Sequence, residues 1–437
     1  MKKIVIVAGY VYPDASPTGK IALQFADMLK ADYDVSIVFI QTSLDRIDGV
    51  KHNGMTFYAI YNVRLYCEHY FIEKAKSSSS KILGQIFSVA SKIVKAFGRI
   101  NAWFFFPRTK CYSLWPNNLS WFYPKAYRKL VRLHQENKLD VVFTVNSPFP
   151  AHLAGRKFKY KFPDVHWVTY TVDPYARAHD FTKTWLLPTL KAKIDKGEEK
   201  CIYNLADYNF VSEEVFSTES KLFDQALNKT VALPYLLVPV NEISYSSIFS
   251  KNKINLVYAG RFYETIRNPE YLLKTFLAID NPDILLHLYT VSDCDSLIDS
   301  YVNRSNGRII RHETVSVDKV SGVLSQADIL ISVGNSTASF KPSKIFEYIA
   351  TCKPIVHFYQ NGLKDNVLIN YLAVLQIDQA KLHPKLNSKI VEDFCYRNKN
   401  TNINWQDVIR KYQKHSIKSI KSLILKGINI SNQSSQT

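Results

Sequence analysis

The chain has 437 residues, with 56 Lys and Arg against 38 Asp and Glu and a formal charge of +18. That length exceeds one ordinary domain, and the excess of bases calls for an anionic partner. No run of about eighteen apolar residues occurs, which argues against a transmembrane helix, and six scattered cysteines (Cys67, Cys111, Cys201, Cys294, Cys352 and Cys395) lack the spacing of a disulfide frame or zinc site and fit reduced thiols in a cytosol.

Lys2 to Val11 is a short apolar β-type run behind two lysines. No convincing cleavage site follows in Tyr12-Pro-Asp-Ala-Ser-Pro17, which favours a first buried strand over an export signal. Pro17-Thr-Gly-Lys20 then opens a helix with Ile21, Phe25, Met28 and Leu29 at helical spacing. Gly19 could let backbone amides approach a ligand, although a single glycine before a helix is commonplace.

From Lys74 to Arg132 there are a dozen lysines and arginines and no acidic residue. Within that stretch, Lys81 to Phe97 puts Ile82, Ile86, Ala90, Ile93, Val94 and Phe97 on one helical face and Lys81, Lys92 and Lys95 on the other. This is the pattern of a helix lying in an anionic membrane surface. Trp103, Trp115 and Trp121-Phe-Tyr123 supply interfacial aromatics. The alternative is that the apolar face packs into the first lobe.

Leu139 to Val145 and His166 to Val172 read as parallel buried strands ending at Asn146-Ser147 and Asp173-Pro174. Asp173 suits a turn ahead of proline. Ala206 to Ser212 is a further strand, in which Asp207 and Ser212 read as structural. Pro, Ser and Asn gather between Pro234 and Asn252, the expected linker.

Ile254 begins another buried strand that turns at Gly260 and resumes from Asn268-Pro269 as a helix with Leu272, Leu273 and Phe276 inward. Arg261 and Arg267 therefore flank the carboxyl end of one strand, the edge where open α/β sheets bind ligands. Their planar guanidinium groups suit phosphate; the alternative is two solvated loop residues. Asp293-Cys-Asp295 follows the strand Ile284 to Val291 and reads as a polar loop before a metal pair, and loop polarity also explains His312-Glu313.

In Lys341 to Val356, Pro342 suits a helix entry and Ser343 its cap, leaving first-turn amides to face an anion, with Lys344 adding charge. Glu347 lies four residues after Ser343 on the same face, and a carboxylate is what a ribose diol needs. An ordinary capped helix explains the same residues. Trp405 to Leu425 reads as one basic helix with Val408, Ile409, Tyr412, Ile417 and Ile420, and a disordered polar tail follows Gly427.

Ala259-Gly-Arg261 with Arg267, and Pro342-Ser-Lys-Ile-Phe-Glu-Tyr348, resemble the donor half of the retaining, family-four glycosyltransferases, in the variant found in bacterial enzymes of capsule and surface-polysaccharide synthesis. The resemblance implies the GT-B fold: α/β, two Rossmann-like doubly wound lobes facing a central cleft, and a C-terminal helix crossing back to the first lobe. The implied domains are 1–235 on the acceptor side with a basic aromatic insertion at about 66–132, 236–404 for the nucleotide sugar, 405–426 for the crossover helix and 427–437 for the tail. Arg261 and Arg267 match the family's pair of bases on the diphosphate, with Arg for the more usual Lys. Glu347 matches the second of two glutamates eight residues apart, the one holding the ribose. Ser339 stands in place of the first, and Phe340-Lys-Pro342 replaces the usual Gly-rich turn.

The implied chemistry is transfer of a sugar from a nucleotide-diphosphate donor to a hydroxyl of a glycan or lipid-linked acceptor, with retention and without metal or cofactor. Asp173, Arg261 and Arg267 would be catalytic, and Gly19, Ser339, Ser343, Lys344 and Glu347 donor-binding. The location would be cytoplasmic, peripheral on the inner face of the cell membrane, with an anionic surface met through 74–132 and no nucleic-acid partner. Two alternatives are a nucleotide-sugar epimerase of the same fold and a polyanion-binding protein on an inactive transferase scaffold.

Overall fold

A computed structural model describes the chain except residues 13–14, 42–46, 110–118, 177–187, 241–247, 314, 316, 337–343, 361, 363–364, 381–382 and 430–437, and without the side chains of 99, 101–109, 188 and 317–318. The chain divides into two compact units, Met1–Leu233 with the chain from Lys421 onward, and Pro234–Ile420.

The first unit begins with β1 (Lys2–Tyr10), α1 (Pro17–Leu29), β2 (Tyr33–Gln41), β3 (Asp48–His52) and β4 (Met55–Tyr61). A helical pair follows, α2 (Val63–Ser77) and α3 (Lys81–Thr109), then α4 (Phe122–Glu136), β5 (Val141–Val145), α5 (Pro150–Lys161) and β6 (His166–Thr171). It closes with α6 (Pro188–Leu205), β7 (Tyr208–Ser212), α7 (Glu213–Thr218) and β8 (Thr230–Leu233). The sheet order is β3-β4-β2-β1-β5-β6-β7-β8, parallel except for the β3–β4 hairpin. Ile4 to Ala8 of β1 are all buried, the continuous apolar run of a strand covered on both faces. On one face Val5, Val7 and Val142 meet Leu130 of α4 and Ala154 and Phe158 of α5. Asp207 and Ser212 serve structure: Asp207 accepts the Trp167 amide at 2.7 Å, and the Ser212 hydroxyl donates to the Val172 carbonyl at 2.8 Å.

The second unit holds β9 (Ile254–Phe262), α8 (Glu270–Leu277), β10 (Ile284–Ser292), α9 (Asp295–Arg304), β11 (Ile309–His312), α10 (Val317–Ser325) and β12 (Ile329–Val333). α11 (Lys344–Ala350), β13 (Ile355–Tyr359), β14 (Val374–Asp378), α12 (Pro384–Asn398) and α13 (Trp405–Lys411) complete it. The all-parallel order β11-β10-β9-β12-β13-β14 is the doubly wound arrangement. Alternate residues of β9 feed opposite layers, Ile254, Leu256 and Tyr258 into one core and Val257 and Ala259 into the other.

Three details differ from the sequence reading. β9 does not turn at Gly260; it pairs with β10 through Phe262, and the chain reverses only at the Tyr263–Arg267 hairpin. Gly260 is small because an added Cβ would lie 2.8 Å from the Tyr258 hydroxyl, which donates to the Arg261 carbonyl. The stretch from Trp405 is two helices: after α13 the chain breaks, and Ser416 caps α14 (Ile417–Asn429) by accepting the Ser419 amide. Residues 427–429 continue α14 instead of starting the tail, because Gly427 lets the helix seat on the rings of Tyr208 and Phe210, 2.6 Å from where a Cβ would stand. His166 bonds the Gly427 carbonyl at 2.8 Å, fixing this end of the helix to the first unit.

Candidate active site

In a doubly wound sheet the strand order reverses between two central strands, and their carboxyl ends leave a crevice. In the second unit these strands are β9 and β12. Arg267 spans them: its Nε donates to Asn335 Oδ1 beyond β12 at 2.9 Å, and its Nη1 reaches the Arg261 carbonyl of β9 at 3.3 Å. The Ser336 amide donates to the Ile266 carbonyl at 2.8 Å, so the loop after β12 is tied to the hairpin carrying Arg267. From α11, Lys344 Nζ donates to the Ala259 carbonyl at 3.2 Å. Arg261 is exposed, its guanidinium 4.9 Å from the Tyr263 ring centroid. Three cations, Arg261, Arg267 and Lys344, thus gather at the carboxyl end of one strand.

Glu347 is exposed on α11, one turn after Lys344. Around it Ile345, Phe346, Tyr348 and Ile349 are buried, and the Tyr348 hydroxyl bonds the backbone of Ala259, locking α11 against β9. Behind the crevice His357 of β13 bonds Ser332 of β12 at 3.0 Å. Burial chiefly, with Arg267 acting in the same sense and Asp365 against it, lowers its imidazole to about 4, so it stays neutral beside the cations. Ser339 and Ser343 lie outside the described residues. Asp293 and Asp295 are engaged elsewhere: Asp293 accepts the Glu264 amide at 2.8 Å, and Asp295 pairs with Arg311 at 2.5 Å. His312 stacks on Tyr289 and bonds His287 at 2.9 Å.

The equivalent crevice of the first unit lies between β1 and β5. Thr18 donates to the Ser147 carbonyl at 3.0 Å, joining the start of α1 to the loop after β5, and Asn146 Nδ2 donates to the Asp173 carbonyl at 2.8 Å, joining that loop to the end of β6. The Gly19 amide is taken by the Ser16 hydroxyl at 3.1 Å. Asp173 is exposed to solvent yet recessed among neighbouring atoms, and that desolvation raises its carboxyl above the usual aspartate range.

The sequence reading missed the group that holds this loop. Glu199 of α6 is buried and accepts the amides of Tyr175 and Ala176 at 2.7 and 3.0 Å. It sits one turn beyond Asp195, whose buried carboxylate pairs with Lys191. Glu198-Glu199-Lys200 looks like a solvated charge run, and the only hint in sequence is the Lys191, Asp195, Glu199 spacing, which puts all three on one helical face. Asn335 was missed too, since Gly334-Asn-Ser336 carries no charge.

Burial chiefly, with Asp195 and Glu219 nearby and the two amides opposing, raises Glu199 from 4.5 to about 7. The folded protein then holds a proton there that the unfolded chain releases above its ordinary value. Stability therefore falls as pH rises from 4.5 towards 7, on the order of 2 kcal/mol from this site. Glu199→Gln is expected to flatten that slope in urea denaturation followed between those pH values; an unchanged slope would mean that Glu199 is already ionised when folded.

No family model matches the chain, and no curated protein matches it in sequence. Solved structures do match in shape. The lipopolysaccharide outer core galactosyltransferase WaaB in its apo form aligns with TM-score 0.53 and 12% identity, covering 98% of this chain and 99% of that one. An alpha,alpha-trehalose 6-phosphate synthase from Burkholderia multivorans aligns with TM-score 0.59 and 8% identity over 100% of both chains. A trehalose-6-phosphate structure from E. coli bound with UDP-2-fluoro glucose gives 0.56 and 10%, over 98% of this chain and 99% of that one. With two mostly parallel, doubly wound sheets and these neighbours along its whole length, the chain has the fold of the GT-B glycosyltransferases.

Proposed function

We propose that the chain is a retaining glycosyltransferase that moves a sugar from a nucleotide-diphosphate donor to a hydroxyl of a glycan or lipid-linked acceptor in bacterial surface-polysaccharide synthesis. The observation that carries this reading is the bridge made by Arg267 between Asn335 and the Arg261 carbonyl, with Lys344 on the neighbouring carbonyl of Ala259. Side chains so held keep their positive charge at the mouth of the β9–β12 crevice before any ligand arrives. As a glycosidic bond breaks, negative charge grows on the departing diphosphate, and preorganised cations stabilise that state most. This charge compensation comes from side chains and requires no metal ion in the proposal. Glu347 would accept hydrogen bonds from the ribose diol; Ser343 and Ser339, outside the described residues, are assigned to the donor by the sequence resemblance alone. Asp173, recessed at the end of β6, is the proposed contact to sugar or acceptor, and Gly19, in the first turn of α1, is the proposed donor contact from the first unit. The location that goes with this reading is the cytosolic side of the cell membrane, where nucleotide sugars and lipid-linked acceptors meet. The E. coli neighbour bound with UDP-2-fluoro glucose supports the donor class.

A panel of nucleotide-diphosphate sugars, scored by thermal shift, tests the reading. At a hundred times its dissociation constant a donor adds about 2.7 kcal/mol, so a rise of about 5–10 °C is expected for one or two panel members. Absence of a shift with any nucleotide-diphosphate sugar would remove the donor site. Product analysis with and without acceptor then separates transfer from epimerisation.

A further inference from the structure

α2 and α3 form a pair joined by the three residues Ser78 to Ser80, and the face α3 turns to α2 is lined by small groups and a few rings. An added Cβ at Gly84 would stand 3.3 Å from the Ala75 carbonyl, and one at Gly98 would stand 2.2 Å from Arg64 Nη1. Phe87 stacks on Phe71 at 6.3 Å between them. With its small residues against α2, α3 turns its large aliphatic ones away. Ile82, Ile86, Val89, Ile93, Phe97 and Ile100 recur at steps of three and four, the spacing of one helical face, and are 54–71% exposed. A soluble monomer rarely leaves so many large apolar side chains on one open stripe.

Among the described residues the alternative raised by the sequence is not seen: the first unit leaves this stripe of α3 exposed. The residues also change. Val94 and Ala90 turn towards the α2 side, while Val89 and Ile100 join the outward stripe.

The charges around the stripe select its occupant. At 100° per residue, Lys81 and Lys92 fall along one border, about 100–120° from the stripe's centre, and Lys95 lies farther round on the same side, about 160° from it; all three are exposed. No acidic residue occurs from Lys74 to Arg132. A second copy docked by the same stripe would set lysine borders against each other or against an uncharged border, with no carboxylate from this stretch to answer them. An anionic lipid surface supplies both an apolar layer and negative headgroups. No helix among the described residues is long and apolar enough to cross a membrane, so the helix would lie in the interface.

We propose that the outward face of α3 is a docking surface for anionic lipid membranes, with the Ile82–Ile100 stripe in the acyl boundary and Lys81, Lys92 and Lys95 at the headgroups. The proposal rests on α3 alone and not on the donor site.

Co-sedimentation with vesicles, in the absence of any nucleotide sugar, tests it. The full chain is expected to pellet with vesicles of phosphatidylcholine mixed with phosphatidylglycerol and far less with phosphatidylcholine alone. Ile86→Glu combined with Ile93→Glu places carboxylates in the exposed apolar stripe and should lower partitioning by about a hundredfold. Lys92→Gln with Lys95→Gln should lower it by about tenfold or more on mixed vesicles and leave the weak binding to phosphatidylcholine unchanged. All four positions are exposed, so melting temperatures should match the parent chain. Equal partitioning of the Ile86→Glu, Ile93→Glu variant would overturn the proposal, as would no vesicle binding by the parent. A lipid-free dimer in sedimentation velocity that the same variant dissolves would assign the stripe to a second copy and equally overturn it.

Discussion

Arg261→Ala is expected to lower the transfer rate by about 10²–10³-fold while leaving the fold intact. The two halves of that statement come from different observations. Arg261 is exposed and its contact is with the Tyr263 ring, worth about 0.5–1 kcal/mol at an open site, so its loss costs little stability. Its backbone carbonyl, which survives the substitution, is what receives Arg267 Nη1 and the Tyr258 hydroxyl. The scaffold of the crevice is therefore left in place and only one guanidinium is removed. If that guanidinium faces a diphosphate whose charge rises as the sugar departs, the loss falls on kcat more than on KM, because the interaction strengthens towards the transition state. Arg261→Lys should recover part of the rate, since charge returns without the paired donors. Arg267→Ala is the contrasting case: it also cuts the link to Asn335, so rate and melting temperature should fall together. Initial rates and melting curves on the three variants, using the donor that emerges from thermal screening, decide the matter. Near-normal turnover in Arg261→Ala would place the diphosphate elsewhere.

How much of this was legible in the sequence follows from what sequence patterns encode. Both sheets were, because central parallel strands such as Ile4 to Ala8 are buried on both faces and read as unbroken apolar runs. Arg261 and Arg267 were legible as candidates from their position after such a run. Their mutual approach was not: it depends on the Tyr263–Arg267 hairpin, which no Gly, Pro or Asn within it announces. Neutral partners such as Asn335 carry no sign that long-range geometry will choose them. Glu199 was hidden for the opposite reason, since a charged triplet reads as solvated until the fold buries one member. Along α3, periodicity told which residues share a face, but not whether another element covers that face. The break after α13 was invisible because Tyr412 to Ser416 contains neither Gly nor Pro, and the stop comes from the Ser416 cap and from His415 bonding the Tyr235 carbonyl at 2.7 Å.

Gly19→Ala separates two physical accounts by the sign of its effect. Gly19 is the third residue of α1, and by helix propensity alone alanine there should stabilise the protein by up to about 1 kcal/mol. The surroundings predict the reverse. An added Cβ would stand 1.8 Å from the Tyr10 carbonyl oxygen, backbone that cannot swing aside like the end of a side chain. That carbonyl also accepts the Ser16 amide at 3.0 Å and the Ser16 hydroxyl at 3.2 Å, and the same hydroxyl caps α1 through the Gly19 amide. Relief of the clash must therefore move α1 away from the end of β1, loosening the cap and the Thr18 bond to Ser147 together. A loss of about 3 kcal/mol is expected, at the upper end for overpacked sites, and it should appear as a fall in melting temperature of about 6–12 °C. Gly197 of α6 provides the internal control: nothing lies within 4 Å of its added Cβ, so Gly197→Ala should raise stability by about 0.5–1 kcal/mol. Should Gly19→Ala instead melt like the parent while losing affinity for nucleotide sugar, the glycine would be serving a ligand and not the packing of α1 on β1.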